Sequence, residues 1–156
     1  MSPVTLVRVA TPAQWSAARR LIEEYAATLD IDLSFQDFAH ELDTLEQQYG
    51  PPGGAMLLAL DGDEALGCVG LRALDASTGE VKRLYVVPRG RGRDVGRALA
   101  NAVIEAGREL GYRRLRLDTL PTMAAARALY SSLGFCAIPS YRYNPVPGTV
   151  FMELRL

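Results

Sequence analysis

The sequence predicts one α/β (α+β) domain over residues 1–156, with a mixed, mostly antiparallel central sheet of about seven strands and helices on both faces. Three observations predict it. The chain is long enough to bury a real core. The stretch "AMLLALDGDEALGCVGLRAL" reads as two strands about an Asp-Gly turn. The second half then runs strand–helix–strand–helix–strand, an order that asks for helices packed on a sheet.

In order, "TLVRVA" alternates as a strand, and Thr11-Pro12 supplies an N-cap with proline at the first helical position. Trp15, Ala18, Ile22, Tyr25 and Leu29 recur at helical spacing behind it. The acidic link "DIDLS" leads to a second helix, for which Ser34 and Asp37 form a variant capping box. Phe35, Phe38, Leu42, Leu45 and Tyr49 give that helix one apolar face. "YGPPGG" is a loop, the hairpin follows, and "EVKRLYVV" is a strand ended by Pro88. A helix over 93–110 carries Val95, Leu99, Ala102, Val103, Ala106 and Leu110, with Gly111 closing it. "RRLRLDT" is a strand, "TMAAARALYSSL" a helix stopped by Gly134, and "FCAI" a short strand. The stiff loop "YRYNPVPG" precedes the final strand "TVFMELRL".

Composition narrows the class. Nearly half the residues are apolar, yet no apolar run approaches a membrane span, and the N-terminus has no signal-peptide pattern. Cys68 and Cys136 lie in apolar contexts and read as reduced, buried thiols of a cytoplasmic protein. A lone His40 in an amphipathic helix offers neither a zinc site nor a Ser-His-Asp arrangement, so no metal is expected. Net charge is close to zero but unevenly spread. From Glu23 to Glu64 the charged residues are acidic, whereas from Lys82 to Arg116 basic residues outnumber acidic ones more than threefold.

The segment "YVVPRGRGRDVGRALA" is the most informative. A strand stops at Pro88, and Gly90, Gly92 and Gly96 then alternate with Arg91, Arg93 and Arg97 before a helix begins. Free backbone N–H groups and the helix dipole favour a phosphate at such a place. A P-loop is excluded because no Lys-Ser/Thr follows the glycines. A dinucleotide site stays open, since "GRGRDVG" is a known spacing variant and Asp118 closes the next strand where a ribose-binding acid would sit. A Rossmann core would, however, need more parallel strands than the chain supplies.

"EVKRLYVVPRGRGRDVGRALANAVIEAGRELGYRRLRLDT" followed by "AAARALYSSLGF" resembles the acetyl-coenzyme A binding core of the GNAT acetyltransferases, closely over residues 55–156 and by element order before that. The resemblance implies an N-acetyltransferase with acetyl-coenzyme A as co-substrate. The amides of Arg91, Gly92, Arg93, Asp94, Val95, Gly96 and Arg97 would hold the pyrophosphate. The Val86–Val87 backbone would pair with the pantetheine arm like an added strand, and an N–H near Val86 would meet the oxyanion. Two departures stand out. Asp94 replaces the family's usual first glycine and is expected to turn its carboxylate away from the anion; Met123 replaces an asparagine often found before "AxxLY".

Tyr130 matches the family's usual tyrosine and would protonate the departing thiolate, as a phenol of pKa about 10 can for a thiol of about 8.5; the alternative is a core-edge aromatic. Glu80 corresponds to a glutamate that serves as base in some relatives, the alternative being a solvated strand end. Arg72, Lys82 and Arg83 are candidates to clamp a substrate carboxylate, with alternation placing Lys82 on the side of Glu80 and Arg83 on the opposite side. Tyr141 and Tyr143 would roof the acceptor pocket, and Asp30, Asp32 and Asp37 would draw a cationic amine toward it.

The reading is therefore transfer of acetyl to a primary amine of a small molecule by direct attack, with no nucleic-acid or membrane partner and a homodimer as a possible assembly. The alternatives are a small NAD(P)-binding protein on the 90–96 turn and a basic nucleic-acid module. The second lacks interleaved aromatics, since only Tyr85 and Tyr112 fall in the arginine-rich stretch.

Overall fold

The structure, a computed structural model, describes residues 3–29, 32–33 and 37–156. Its strands are β1 (Thr5–Arg8), β2 (Ala55–Asp61), β3 (Glu64–Ala73), β4 (Thr78–Val86), β5 (Arg114–Thr119), β6 (Cys136–Ile138) and β7 (Val150–Arg155). Its helices are α1 (Pro12–Thr28), α2 (Phe38–Asp43), α3 (Leu45–Tyr49), α4 (Val95–Glu109) and α5 (Ala124–Ser132). The strands form one seven-stranded sheet in the order β1-β2-β3-β4-β5-β7-β6. Every pairing is antiparallel except β4 with β5. That single parallel pair leaves no room for a Rossmann half, and the dinucleotide reading falls with it.

Local signals explain most boundaries. Thr11 accepts from the Gln14 backbone N–H while the Gln14 side chain accepts from Thr11, a capping box that starts α1. Gly111 and Gly134, both at positive φ, close α4 and α5 with carbonyls capped behind them. The second helix differs from its apolar pattern. Thr44, at φ −130° and ψ 31°, breaks it into α2 and α3. Ser34 and Phe35 lie outside the described residues, and Asp37 makes no side-chain cap.

The core has two layers. Val69, Leu71, Val81, Val95, Leu99 and Val103 fill the space between the sheet and α4, joined there by Tyr130 and Phe135 from and beyond α5. Ile22, Leu45, Tyr49, Leu58, Leu66 and Cys68 fill the other side, beneath α1 and α3. Leucines such as Leu58 and Leu99, both at 0% exposure, each contribute about 1.5–3 kcal/mol by leaving water. Cys68 is buried as expected, but Cys136 is exposed, because it lies on β6, a short strand at the edge of the sheet. No helix among the described residues is long and apolar enough to cross a membrane.

Two irregularities of β4 position everything that follows. Its pairing with β5 is confined to Thr78–Glu80 against Arg114–Arg116, after which the two strands part. Opposite β3, the register slips between Cys68 and Gly70: two steps on β3 match three on β4, and Arg83 takes the extra place at φ 62°. This bulge reverses the alternation of β4. Glu80 and Lys82 face the α1 side before it, and Tyr85 and Val87 face the same side after it.

A cleft where the sheet divides

Beyond Glu80, β4 keeps β3 on one edge and has an open second edge. Val87 spends its N–H on the Leu66 carbonyl, 2.9 Å away, while the Val86 carbonyl points the other way and accepts from Arg91 Nε at 3.2 Å. Val86 thus faces the open edge, its carbonyl covered by the Arg91 side chain, whereas Val87 spends its N–H on Leu66 and its carbonyl on the Gly90 N–H instead of the pairing expected of it. Beside this edge lies a cleft of about 620 Å³, walled by Leu84 and Val86, by the glycine turn, and by Met123, Ala126 and Leu129 at α5. Its size and its mix of apolar wall and polar end are those of a small-molecule site.

At the polar end, Pro88–Gly90 form a single 3-10 turn, Gly92 sits at φ 80°, and α4 begins at Val95. Glycine permits that left-handed step without cost. Asp94 makes a second one at φ 60°, where a side chain other than glycine is strained. Its carboxylate is 80% exposed, caps no N–H, and leans toward Arg97 at 3.8 Å. The arginines divide. Arg91 and Arg97 line the cleft. Arg93 instead pairs with Asp61 at 3.0 Å and Arg89 with Glu64, so these two tie the turn to the β2–β3 hairpin. Arg93's side chain is therefore corrected to a structural partner, although its backbone remains in the turn.

Tyr25, Leu29, Leu84, Met123 and Ala126 line both this cleft and a smaller cavity of about 50 Å³ behind it. Lys82, Arg83, Asp118, Tyr130 and Asn144 line the inner cavity. Met123, where the sequence departs from the expected asparagine, stands at the junction with its sulfur 3.7 Å from the Tyr25 hydroxyl. Burial pushes the Tyr25 hydroxyl up to about 12. Tyr130 is 6% exposed, packs edge-on against Phe135 at 5.4 Å, and burial raises its pKa well above the ordinary phenol value. It is both a core aromatic and part of the inner cavity's wall.

Behind the cavity lies a buried ionic network. Arg83 reaches Glu41 with Nε at 2.8 Å and Nη2 at 2.9 Å, and its guanidinium lies 5.2 Å from the Phe38 ring centre. Glu41 also accepts from the Tyr49 hydroxyl. Burial pushes the Glu41 carboxyl up, but the hydrogen bonds and charge of Arg83, with Lys82 and Arg72, outweigh it and hold it below the ordinary range. Glu80 is fully buried, not a solvated strand end, and accepts from Arg72 at 3.1 Å, Tyr141 at 2.8 Å and Arg142 at 3.0 Å.

This network corrects three expectations. Arg83 shares the face of Glu80 instead of opposing it, because the bulge reverses alternation. Arg72 and Arg83 are engaged by Glu80 and Glu41, and of the three basic candidates only Lys82 and Arg83 line the inner cavity. Tyr141 and Tyr143 line neither cavity: Tyr141 turns inward to Glu80 and Phe151, Tyr143 is 74% exposed, and Asn144 lines the inner cavity. Asp32 and Asp37 are exposed; Asp30 lies outside the described residues. Tyr25 and Asn144 were not singled out from sequence as site residues. Tyr25 reads as one more member of a helical stripe, and Asn144 as turn chemistry beside a proline.

The family model for "Acetyltransferase (GNAT) family" matches residues 17–135. An uncharacterized N-acetyltransferase of Schizosaccharomyces pombe is 38% identical over 157 residues, covering 99% of this chain and 96% of its own. The crystal structure of an acetyltransferase from Streptococcus agalactiae has the same fold, with a TM-score of 0.80 at 21% identity over the whole of both chains. A GNAT family acetyltransferase from Elizabethkingia anophelis, solved with acetyl-CoA bound, has a TM-score of 0.67 at 18% identity and covers 98% of each chain.

Proposed function

From the premise that this chain belongs to the GNAT acetyltransferase family and is an acyltransferase, we propose that it moves acetyl from acetyl-coenzyme A to a primary amine of a small molecule. One observation carries the reading: β4, parted from β5 beyond Glu80, and the glycine turn at the start of α4 line one continuous cleft. A strand edge suits a pantetheine arm, whose amides need donors and acceptors, and a helix N-terminus suits a pyrophosphate. The residues fit the coenzyme, with Val86 on the arm and the amides of Gly92 to Arg97 on the phosphates, assisted by the side chains of Arg91 and Arg97. The coenzyme supplies the acetyl group as a thioester open to direct attack.

The chain's own groups do the rest. Tyr130, in the wall of the inner cavity, is the candidate to protonate the departing sulfur, a step that its burial makes harder by raising the phenol further above the thiol. Leu84, common to both cavities, marks where amine and thioester meet. Glu80 and Tyr141, whose hydroxyl donates to it, line neither cavity, so Glu80 would take the amine's proton only through intervening water. An inner cavity of about 50 Å³ favours a small acceptor over a peptide. Calorimetry with acetyl-coenzyme A and with NADP, followed by coenzyme A release from a panel of amines, tests the reading. Saturable binding of the first and release with an amine are expected; binding of NADP alone would overturn it.

A further inference from the structure

Five residues line both the coenzyme cleft and the inner cavity: Tyr25, Leu29, Leu84, Met123 and Ala126. They come from three directions. Tyr25 lies in α1 with Leu29 just beyond it, Leu84 lies in β4, and Met123 and Ala126 stand at the start of α5. Together they form a collar between a space of about 620 Å³ and one of about 50 Å³. The Tyr25 hydroxyl meets the Met123 sulfur at 3.7 Å, so the α1 and α5 sides of the collar touch.

We propose that this collar is the acyl-binding slot and that Met123 sets the length of acyl chain it takes, admitting acetyl and turning away longer linear chains. The inference rests on the acetyltransferase reading, in which amine and thioester meet at Leu84, and names the residue that selects the donor.

Three observations support it. The side chains of the collar are apolar except for one phenol hydroxyl, and that hydroxyl is turned onto the Met123 sulfur, so the ring suits a methyl group. An asparagine at 123 would set an amide there, whereas the thioether keeps the ring apolar. The space behind the collar holds only one or two groups the size of water, at about 30 Å³ each. An acyl chain that ran on through the collar would take the room the amine needs, so a longer chain must push the collar aside.

Met123 decides how far the collar opens. Tyr25 is backed by the Tyr85 ring at 5.8 Å, Leu84 is packed against the core beneath α4, and Ala126 is already a single methyl. Met123 is half-buried and unbranched, a side chain suited to filling an irregular gap. It is the N-cap residue of α5 but makes no side-chain cap, so truncating it widens the slot without removing a capping bond.

Calorimetry on the wild-type chain and Met123→Ala with coenzyme A and its acetyl, propionyl and butyryl thioesters tests the assignment. Coenzyme A release from the same donors with a panel of primary amines runs beside it. Butyryl-coenzyme A is expected to bind the wild type about 10-fold or more weaker than acetyl-coenzyme A, the scale set by a methylene that an apolar pocket cannot fit, with propionyl between them. Release should follow the same order in kcat/KM. In Met123→Ala the gap between butyryl and acetyl should all but close, while affinity for coenzyme A, which carries no acyl group, changes far less. Met123→Val, a smaller truncation, should narrow the gap part-way and stands in if the alanine variant does not fold. Equal affinities for acetyl and butyryl in the wild type, or a gap that survives in the truncated variants, would overturn the proposal. Failure of all four ligands to bind the wild-type chain would sink the acetyltransferase reading instead, so the two failures are distinct.

Discussion

Arg83 holds Glu41 across the interface between β4 and α2 through two hydrogen bonds, with Glu41 at 1% and Arg83 at 6% exposure. The pair fixes the short helix that backs the inner cavity to the bulge that shapes it. Removing one charge leaves the other buried and uncompensated, which costs about 3–5 kcal/mol. Glu41→Gln should therefore lower stability by roughly that amount, read as a shift in the urea midpoint at pH 7. A loss below about 1 kcal/mol would show that the pair is solvated in solution.

The same carboxylate makes stability depend on acid. Its folded pKa lies below the ordinary glutamate value, so the unfolded chain binds the proton more readily. The stabilisation is present above the unfolded value, about 4.3, and is lost as pH falls through the folded one. Urea midpoints of the wild type and Glu41→Gln should accordingly converge below about pH 4, and parallel curves down to pH 3 would contradict the assignment.

Tyr130→Phe removes one hydroxyl from the inner cavity and leaves the ring's contact with Phe135 in place. Turnover should fall about 10²-fold with the calorimetric Kd for acetyl-coenzyme A unchanged, the pattern of a lost general acid. Full turnover would leave Tyr130 as packing alone.

Asp94 is strained by its left-handed backbone, is free of any capping bond to α4, and lines the polar end of the cleft. Asp94→Gly relieves the strain, about 1 kcal/mol, and removes a negative charge from the turn. Tighter coenzyme A binding and an unchanged or higher melting temperature are expected. Weaker binding would mean that the carboxylate orders the turn through Arg97.

Glu80 and Tyr141 share a hydrogen bond of 2.8 Å, so Glu80→Gln and Tyr141→Phe should impair the same step. Both are expected to lose activity most on the acidic side of the pH–rate profile, where the amine is most protonated. A changed profile in one variant and not the other would break the proposed link.

Much of this protein is legible in the chain. Element order, the Thr11-Pro12 start of α1, the Gly111 and Gly134 stops, and the glycine turn are local, since capping, φ restriction and apolar period act within a few residues. Tertiary structure decided the rest. The bulge at Arg83 is invisible in "VKRLY", because strand alternation has no marker for the one residue that breaks it, and it moved Arg83 onto the face of Glu80. The partners of Glu41, Arg72, Glu80 and Arg93 lie 8 to 62 positions away in sequence, and charge alone does not say which carboxylate a guanidinium will find. Lys82 and Asp118 line one cavity only because β4 and β5 begin side by side and then separate. A sequence fixes what each residue can offer over a turn or two of backbone; which offers meet across the sheet is set by the packing that brings distant strands together.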